Sequence, residues 1–333
     1  MFEKIKKIDA HVHYRDWDEA YKETIRGGSE KAATQGIMAV GDMPNTKPSI
    51  LWEDNVRERL KLAIQEKPLV KYFLWVGLTS RKDQIKEAVR LVKEIPQVIG
   101  LKLYAGPTTG ELGVFDEREQ EKIYRILADL KYQGVLAAHC EKKTELKTEL
   151  WNPDKPWTYG KARPIKAEVE AVKSQIRLAR ISNFRGHLHI CHASCRRTLN
   201  LVQMARKNGL QISCEVTPHH ALLSEEEMKK PDGLKFKVNP PLRPLMIVEE
   251  LRLALIRLAK RKVNWLWIAT DYAPHTVDEK LKPDGPSGIA DYSLYGQLLN
   301  WLREKGLSPG EIEQLTFHNI VKTFGEKFKI RPR

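Results

Sequence analysis

Several features that mark specialised protein classes are absent from this 333-residue chain. It has no uninterrupted apolar run of about 20 residues, the length that a membrane-spanning helix needs, so we expect no membrane span. Its first residues contain neither an apolar core nor a small-residue cleavage site, so we expect no export signal. Cysteine is scarce, at four residues without a CxxC pair, which is typical of free buried thiols in a reducing cytoplasm.

Two further absences concern the fold. No GxGxxG motif follows the first apolar run, which argues against a dinucleotide-binding domain. No internal repeat, low-complexity segment or linker divides the chain, so we predict a single domain over residues 1–333. This length suits one domain because α/β barrels commonly exceed about 250 residues.

The charge is strongly unbalanced, since 57 Lys and Arg residues against 43 Asp and Glu give a net charge of +14. Such a balance can indicate a nucleic-acid partner. Here, however, basic residues are interleaved with glutamate along helical stretches such as 53–67 and 117–133, which is the pattern of solvated helix faces. We therefore expect no nucleic-acid partner and interpret the charge as favouring an anionic small-molecule substrate.

Eight short apolar or β-rich runs recur along the chain, and amphipathic segments with helical spacing separate most of them. The runs cover residues 6–13, 36–43, 71–78, 98–104, 134–140, 187–193, 210–216 and 265–271. Strands that alternate with helices and are apolar almost throughout indicate a parallel sheet that is buried on both faces. Eight such units predict an α/β fold of the closed (β/α)8 TIM-barrel type.

Polar and ionisable residues sit at or just beyond the C-terminal ends of these runs, where a barrel builds its active site. They are His11, His13, Arg15, Asp42, Asn45, Lys102, His139, His192, Asp271 and His275. Imidazoles and carboxylates together suit zinc and similar cations, so the sequence predicts a metal site at the barrel mouth. His187, His189 and His318 lack this placement and are interpreted as ordinary core or surface histidines.

Eight motifs occur in the order seen in the dihydroorotases of the amidohydrolase superfamily, and the chain resembles that family over roughly residues 6–290. The motifs are DAHVHYRD, GDMPNTKPS, GLKLYAG, AHCE, HICHASC, EVTPHH, KVNPPLR and IATDYAPH. HxH is shared by the whole superfamily, whereas HxHxR together with MPNT resembles dihydroorotase rather than hydantoinase or allantoinase. The resemblance implies the reversible cyclisation of N-carbamoyl-L-aspartate to L-dihydroorotate in pyrimidine (UMP) biosynthesis.

The resemblance also implies a centre of two zinc ions per chain. The first ion would be bound by His11, His13 and Asp271, and the second by His139 and His192. Lys102 matches the lysine that in many members carries a CO2-derived carbamate bridging both ions. Its place inside an apolar run supports this role, because an unpaired buried ammonium is costly. Asp271 would in addition be the general acid and base of the reaction.

Further matches concern the substrate. Arg15, Asn45 and His275 match the residues that hold its free carboxylate, and the fork of an arginine guanidinium suits that task. Asn239, in KVNPPLR, would contact the pyrimidine ring.

The segment 105–116, AGPTTGELGVFD, is longer than a usual βα loop. Some family members carry paired threonines here on a loop that closes over bound carbamoyl-aspartate. Thr108 and Thr109 are therefore predicted to contact the substrate in a closed state.

The resemblance implies small-molecule partners, carbamoyl-aspartate and dihydroorotate. The scarce cysteines and the missing export signal lead us to expect a cytoplasmic protein. The sequence leaves open a homo-oligomer and an association with aspartate carbamoyltransferase. It also leaves open two rival functions: another cyclic amidase of the hydantoinase or allantoinase type, and a non-catalytic dihydroorotase-like scaffold for a carbamoyltransferase. Many superfamily members add a small β-sandwich built from both termini, whereas we expect this chain to be a barrel without one.

Overall fold

The computed structural model describes residues 5–107 and 111–328. Eight parallel strands form one sheet, in which each strand pairs with the next along the chain. They are β1 (Ile8–Val12), β2 (Ala39–Asp42), β3 (Lys71–Gly77), β4 (Val98–Tyr104), β5 (Val135–His139), β6 (His187–Ile190), β7 (Ile212–Val216) and β8 (Leu266–Ile268). Each predicted apolar run contains one of these strands, so the barrel prediction is confirmed.

The sheet closes between its first and last strands. The His13 amide donates to the Tyr272 carbonyl at 2.8 Å, and the Asp271 amide donates to the His11 carbonyl at 3.0 Å. Val12 and Tyr272 form a parallel bridge at the same point. These bonds join the chain segments that carry three of the predicted metal ligands, so the closure of the barrel itself brings those ligands to one place.

Helices surround the sheet. They are α1 (Ile25–Thr34), α2 (Glu53–Glu66), α3 (Lys82–Glu94), α4 (Glu117–Asp129), α5 (Tyr159–Ala162), α6 (Ile165–Ile181), α7 (Arg196–Lys207), α8 (Pro218–Leu222), α9 (Leu245–Lys260), α10 (Val277–Lys280), α11 (Ser293–Glu304), α12 (Pro309–Glu313) and α13 (Asn319–Phe324). A π-helical turn, Gln314–His318, joins the last two. The amphipathic segment between β6 and β7 forms α7, and Gly209 lies just beyond its end with φ +84°, a conformation that favours glycine.

Two apolar cores hold the barrel. The larger lies between the strands and the surrounding helices, with buried side chains such as Val76, Leu103 and Leu136. The smaller fills the inside of the barrel, where Trp267 lies 6.0 Å from Phe324 of α13, measured between ring centroids. Because the interior is packed, the polar residues at the strand ends form a layer above it rather than the lining of a pore.

Other sequence predictions can be compared with the same structure. All four cysteines are free and buried, as predicted. Over residues 5–107 and 111–328, no helix combines the length and the apolar character that crossing a bilayer requires. Every strand in those ranges belongs to the barrel sheet, and the absence of an accessory β-sandwich stays a prediction.

Candidate active site

His11 and His13, which we term the β1 pair, project onto one face of β1 and its extension, as the alternation of strand side chains requires. Their Nε2 atoms lie 3.2 Å apart. The Oδ1 atom of Asp271, three residues beyond β8, lies 2.9 Å from His13 Nε2 and 3.2 Å from His11 Nε2. All three side chains are buried. Three atoms of ligand type therefore converge on one point.

The outer nitrogens of the β1 pair are both engaged. Glu215 in β7 contacts His11 Nδ1 with one carboxylate oxygen and His189 Nε2, at 3.0 Å, with the other. Asn45 Oδ1 lies 2.7 Å from His13 Nδ1. These contacts orient both rings so that their Nε2 atoms face the site. Glu215 was not among the predicted residues, and its only signal in the sequence is an acidic residue inside an apolar strand.

His139, at the end of β5, and His192, just after β6, form a second set that we term the β5–β6 pair. Nδ1 of His139 lies 3.0 Å from Nε2 of His192. On the outer side, neither His139 Nε2 nor His192 Nδ1 has a hydrogen-bond partner among the described residues, although a carboxylate oxygen of Glu141 lies 3.2 Å from His139 Nε2. The ring centroids of His11 and His192 are 5.6 Å apart, so the two pairs share one cavity.

Lys102 in β4 lines the same cavity and is completely buried. Its Nζ donates to Cys191 Sγ at 3.0 Å and lies 5.1 Å from the centroid of the Tyr104 ring. None of the ion pairs in the described part of the chain involves this ammonium, although the cost of burying it is high. The thiol contact was not predicted, while the placement of Lys102 beside the histidines agrees with the prediction.

Arg15 is buried at the mouth of the cavity, with 2% of its surface exposed. Its Nε donates to the Pro274 carbonyl at 3.1 Å, and its Nη2 lies 3.2 Å from His275 Nε2. Within residues 5–107 and 111–328 it forms no ion pair with a carboxylate. Burial lowers the pKa of Arg15, and burial together with the Arg15 guanidinium lowers the pKa of His275. The Arg15 guanidinium therefore places a positive charge beside the cavity with no described carboxylate in direct contact, although the charges of Glu19, Asp42 and Asp271 lie near enough to favour it.

A second wall of the cavity comes from loops that are distant in sequence. The Tyr159 hydroxyl donates to Asn239 Oδ1 at 2.6 Å and lies 3.1 Å from Ser287 Oγ. Asn239, Ser287 and Gly288 all line the cavity. Asn239 thus lines the cavity, and its contact with the pyrimidine ring stays a prediction, whereas Tyr159 and Ser287 were missed because no strand end or motif marks them.

Some predicted residues lie elsewhere. Asp42 does not line the cavity in the described structure, because its carboxylate binds the buried Arg59 guanidinium at 2.7 Å and the Tyr14 amide at 2.8 Å. Thr108 and Thr109 lie outside the described residues, so their predicted contact with substrate stays a prediction.

Comparison with known proteins identifies the family of this chain. No protein-family model matches the chain. A dihydroorotase from Methanothermobacter thermautotrophicus is 33% identical to it over 336 aligned residues, which cover 97% of this chain and 70% of that protein. This chain belongs to the dihydroorotase family. It spans between 61% and 73% of the length of eight curated dihydroorotases that it matches.

Two solved structures share the fold of this dihydroorotase-family chain. The L-hydantoinase (dihydropyrimidinase) of Arthrobacter aurescens has a TM-score of 0.80 at 21% identity, covering 96% of this chain and 70% of that one. The dihydroorotase of Saccharomyces cerevisiae, solved in complex with 5-fluoroorotic acid, has a TM-score of 0.77 at 18% identity, covering 97% and 85%. At these identities the likeness establishes the amidohydrolase barrel as the common fold.

The donor atoms of this dihydroorotase-family site fit divalent cations. Paired imidazole nitrogens lie 3.2 Å apart in the β1 pair and 3.0 Å apart in the β5–β6 pair. A tetrahedral zinc ion with Zn–N bonds of about 2.0–2.1 Å would hold two such nitrogens about 3.3 Å apart. Lone pairs that face each other at this distance need a proton or a cation between them, and two such pairs in one cavity fit metal binding.

The protonation states of the histidines also favour metal binding. Burial lowers the pKa of His13 to about 4 and also lowers the pKa values of His139 and His192, so these rings are neutral and keep their lone pairs. In His11, burial is outweighed by the carboxylates of Glu215 and Asp271, which raise its pKa well above the usual value. A cation in the position of that proton would compensate the same two carboxylates.

Proposed function

We propose that this chain is a dihydroorotase, which interconverts N-carbamoyl-L-aspartate and L-dihydroorotate. The observation that carries the proposal is the buried Arg15 guanidinium beside the two histidine pairs. It has no carboxylate partner in the described part of the protein, and the substrates of this reaction bring one. A hydantoin without a carboxylate would leave that buried charge without a directly contacting anion, which is costly. We further propose that the reaction serves pyrimidine synthesis in the cytoplasm.

In the proposed complex, Arg15, Asn45 and His275 hold the free carboxylate of the substrate. The guanidinium is already fixed by the Pro274 carbonyl and by His275, so little side-chain entropy is lost when the carboxylate binds. Asn239 and Ser287 lie on the other wall, where the ureido part of the ring can meet polar groups. This arrangement orients the scissile amide toward the histidine pairs.

His11, His13 and Asp271 would hold one divalent cation, and His139 and His192 would hold the other. Two zinc ions bound there would polarise the amide carbonyl and lower the pKa of the attacking water. Lys102 would bridge the pairs after its neutral amine adds to CO2 and releases a proton, because the resulting carbamate is an anionic ligand and an ammonium is not.

Asp271 would move the proton in both directions of the reaction. In hydrolysis its carboxylate accepts a proton from the attacking water and delivers it to the ring nitrogen as the amide C–N bond breaks. In ring closure it takes the proton from the ureido nitrogen as that nitrogen attacks the carbon of the protonated β-carboxyl group, and it delivers this proton to the departing hydroxyl, which leaves as water. The burial of Asp271 keeps this proton away from solvent.

Two measurements test the proposal. Purified protein should hydrolyse dihydroorotate and cyclise carbamoyl-aspartate, with hydantoin and dihydrouracil as carboxylate-free controls. Faster turnover of a control substrate would make the chain a different cyclic amidase, and no turnover of any of them by metal-loaded protein would favour the scaffold alternative. Elemental analysis after purification without chelator should find about two metal ions per chain. Full activity with a single tightly bound ion would contradict the proposed centre.

A further inference from the structure

Lys280, the last residue of α10, is a buried cation without an anion. Only 5% of its surface is exposed, and no carboxylate lies within ion-pair distance of it in the ranges 5–107 and 111–328. Its Nζ donates instead to three backbone carbonyls, of Lys237 at 2.7 Å, Gly288 at 2.8 Å and Pro286 at 3.1 Å. An ammonium has three N–H groups, so each of its donors is matched by one acceptor.

These three carbonyls belong to two chain segments that build one wall of the cavity. Lys237 immediately precedes the cavity residues 238–239, and the other two carbonyls belong to the segment 286–288. The Gly288 amide also donates to the Lys237 carbonyl at 2.9 Å. Lys280 therefore completes a junction between two loops that are about 50 residues apart in sequence, and we term these residues the carbonyl junction.

The position of this junction is tightly limited by its surroundings. Gly288 has φ +154°, and a Cβ atom there would approach the Ala273 carbonyl to 2.5 Å. The wall thus packs directly against the segment that follows β8. A small displacement of residues 286–288 would change the distance between Ser287 and Asn239, which the Tyr159 hydroxyl contacts together.

Burying the charge of Lys280 costs free energy. Burial, with a smaller contribution from the nearby Lys237 ammonium, lowers the pKa of Lys280 to about 7. An apolar side chain would fill the same space without this penalty but could not bind three carbonyls. The ammonium instead orders the wall, because its three hydrogen bonds hold the two segments together.

We propose that Lys280 is a positioning residue, which sets the width of the substrate cavity by holding residues 238–239 and 286–288 together through three carbonyls. The inference rests on the proposed function, because that function identifies the wall as the surface that the substrate ring meets. Lys280 itself does not line the cavity, so its effect should reach the substrate through Asn239 and Ser287.

The first test compares Lys280→Met with Lys282→Met, because Lys282 is exposed and lies two residues away. Lys280→Met should raise the KM for dihydroorotate about tenfold and change kcat less than about threefold, since the cost falls on substrate binding. Metal content should stay at the wild-type level. Lys282→Met should behave as wild type. A wild-type KM in a folded Lys280→Met protein would overturn the inference and leave the proposed function intact.

The second test is chemical rescue in Lys280→Ala. Ammonium ions offer N–H donors to the vacated carbonyls, whereas tetramethylammonium carries the same charge without a donor. Ammonium should restore the KM by about tenfold and tetramethylammonium should not. Equal effects of the two salts would show that ionic strength, rather than the carbonyl junction, is responsible.

A third measurement does not depend on turnover. Exchange of the Gly288 amide hydrogen should be about tenfold faster in Lys280→Met than in Lys282→Met, because the hydrogen bond to the Lys237 carbonyl is weakened. Unchanged exchange would contradict the inference even if dihydroorotate is not the substrate. Should Lys280→Met fail to fold, Lys280→Gln keeps a neutral donor group, and both its exchange rate and its KM should lie between the wild-type value and the values expected for Met.

Discussion

The two histidine pairs are built differently. The β1 pair comes from one strand, and both of its outer nitrogens are held, one by Glu215 and the other by Asn45. The β5–β6 pair comes from two strands, and only its His139 has an outer carboxylate nearby. An imidazole whose far nitrogen is fixed has one orientation and one tautomer, so the β1 pair is organised in advance while the ring of His192 is less constrained.

This difference indicates a division of tasks within one cavity. Asp271 stands beside the β1 pair only, at 2.9 Å and 3.2 Å from its nitrogens. The proposed proton-transfer group and the rigid pair therefore lie in the same part of the site, and we expect the β5–β6 pair to contribute mainly to metal binding. Variants that affect one pair at a time can test this expectation.

The largest effect is expected for Asp271→Asn, which keeps the shape of the side chain but removes both its charge and its basicity. The loss of a proton-transfer group and a ligand together should lower kcat about 1,000-fold or more. Steady-state hydrolysis of dihydroorotate measures this, with the exposed Asp278→Asn as control. A loss below about tenfold would assign the proton transfer to another group.

Lys102→Ala is the next strongest change, because Lys102 lies beside both pairs. Without the proposed carbamate bridge, activity should fall roughly 100- to 1,000-fold and the metal content of both pairs should drop. Short carboxylic acids should restore part of the activity by taking the place of the bridge. Intact mass measurement of the active, metal-loaded wild-type enzyme provides the check, since an unmodified Lys102 there would rule out the carbamate.

The sequence predicted the histidines of both pairs better than the residues that hold them in place, for a physical reason. Side chains alternate along a strand, so His11 and His13 lie on one face, and the stretch HVHYR shows this directly in the sequence. Glu215 and Tyr159 reach the site from other elements, and only the barrel topology makes them neighbours. The backbone at Asp271 (φ +50°) and His192 (φ +37°) is left-handed, a strained conformation for residues other than glycine that no local pattern announces.

Arg15→Ala should weaken substrate binding and leave metal binding by both histidine pairs unchanged. It removes a desolvated charge pair worth about 2–5 kcal/mol, so kcat/KM for dihydroorotate should fall roughly 30- to 1,000-fold or more. Metal content should not change, because Arg15 contacts Pro274 and His275 rather than the histidine pairs. The exposed Arg57→Ala is the matched control. A change of only a few-fold would place the substrate carboxylate elsewhere in the cavity.

The smallest effects, and the most direct test of the comparison, come from Glu215→Gln and Glu141→Gln. Each keeps the size of the side chain and removes one outer negative charge. Glu215 contacts both His11 and His189, so its loss should weaken zinc binding at the β1 pair about 10- to 100-fold. Glu141 is shared with the Arg163 guanidinium, at 3.0 Å between Oε1 and Nε, so its loss should weaken zinc binding at the β5–β6 pair by less.

Competition with a chromogenic zinc chelator separates the two ions, because each variant should release one of them early and keep the other. Thermal melting of the metal-free proteins is the control for the unpaired Arg163 that Glu141→Gln leaves behind. If both variants weakened both ions equally, the two pairs would behave as one unit and the outer contacts of the β1 pair would not organise it separately. If instead Glu141→Gln gave the larger loss, the rigid side of the site would be the β5–β6 pair, and the division of tasks between the pairs would be reversed.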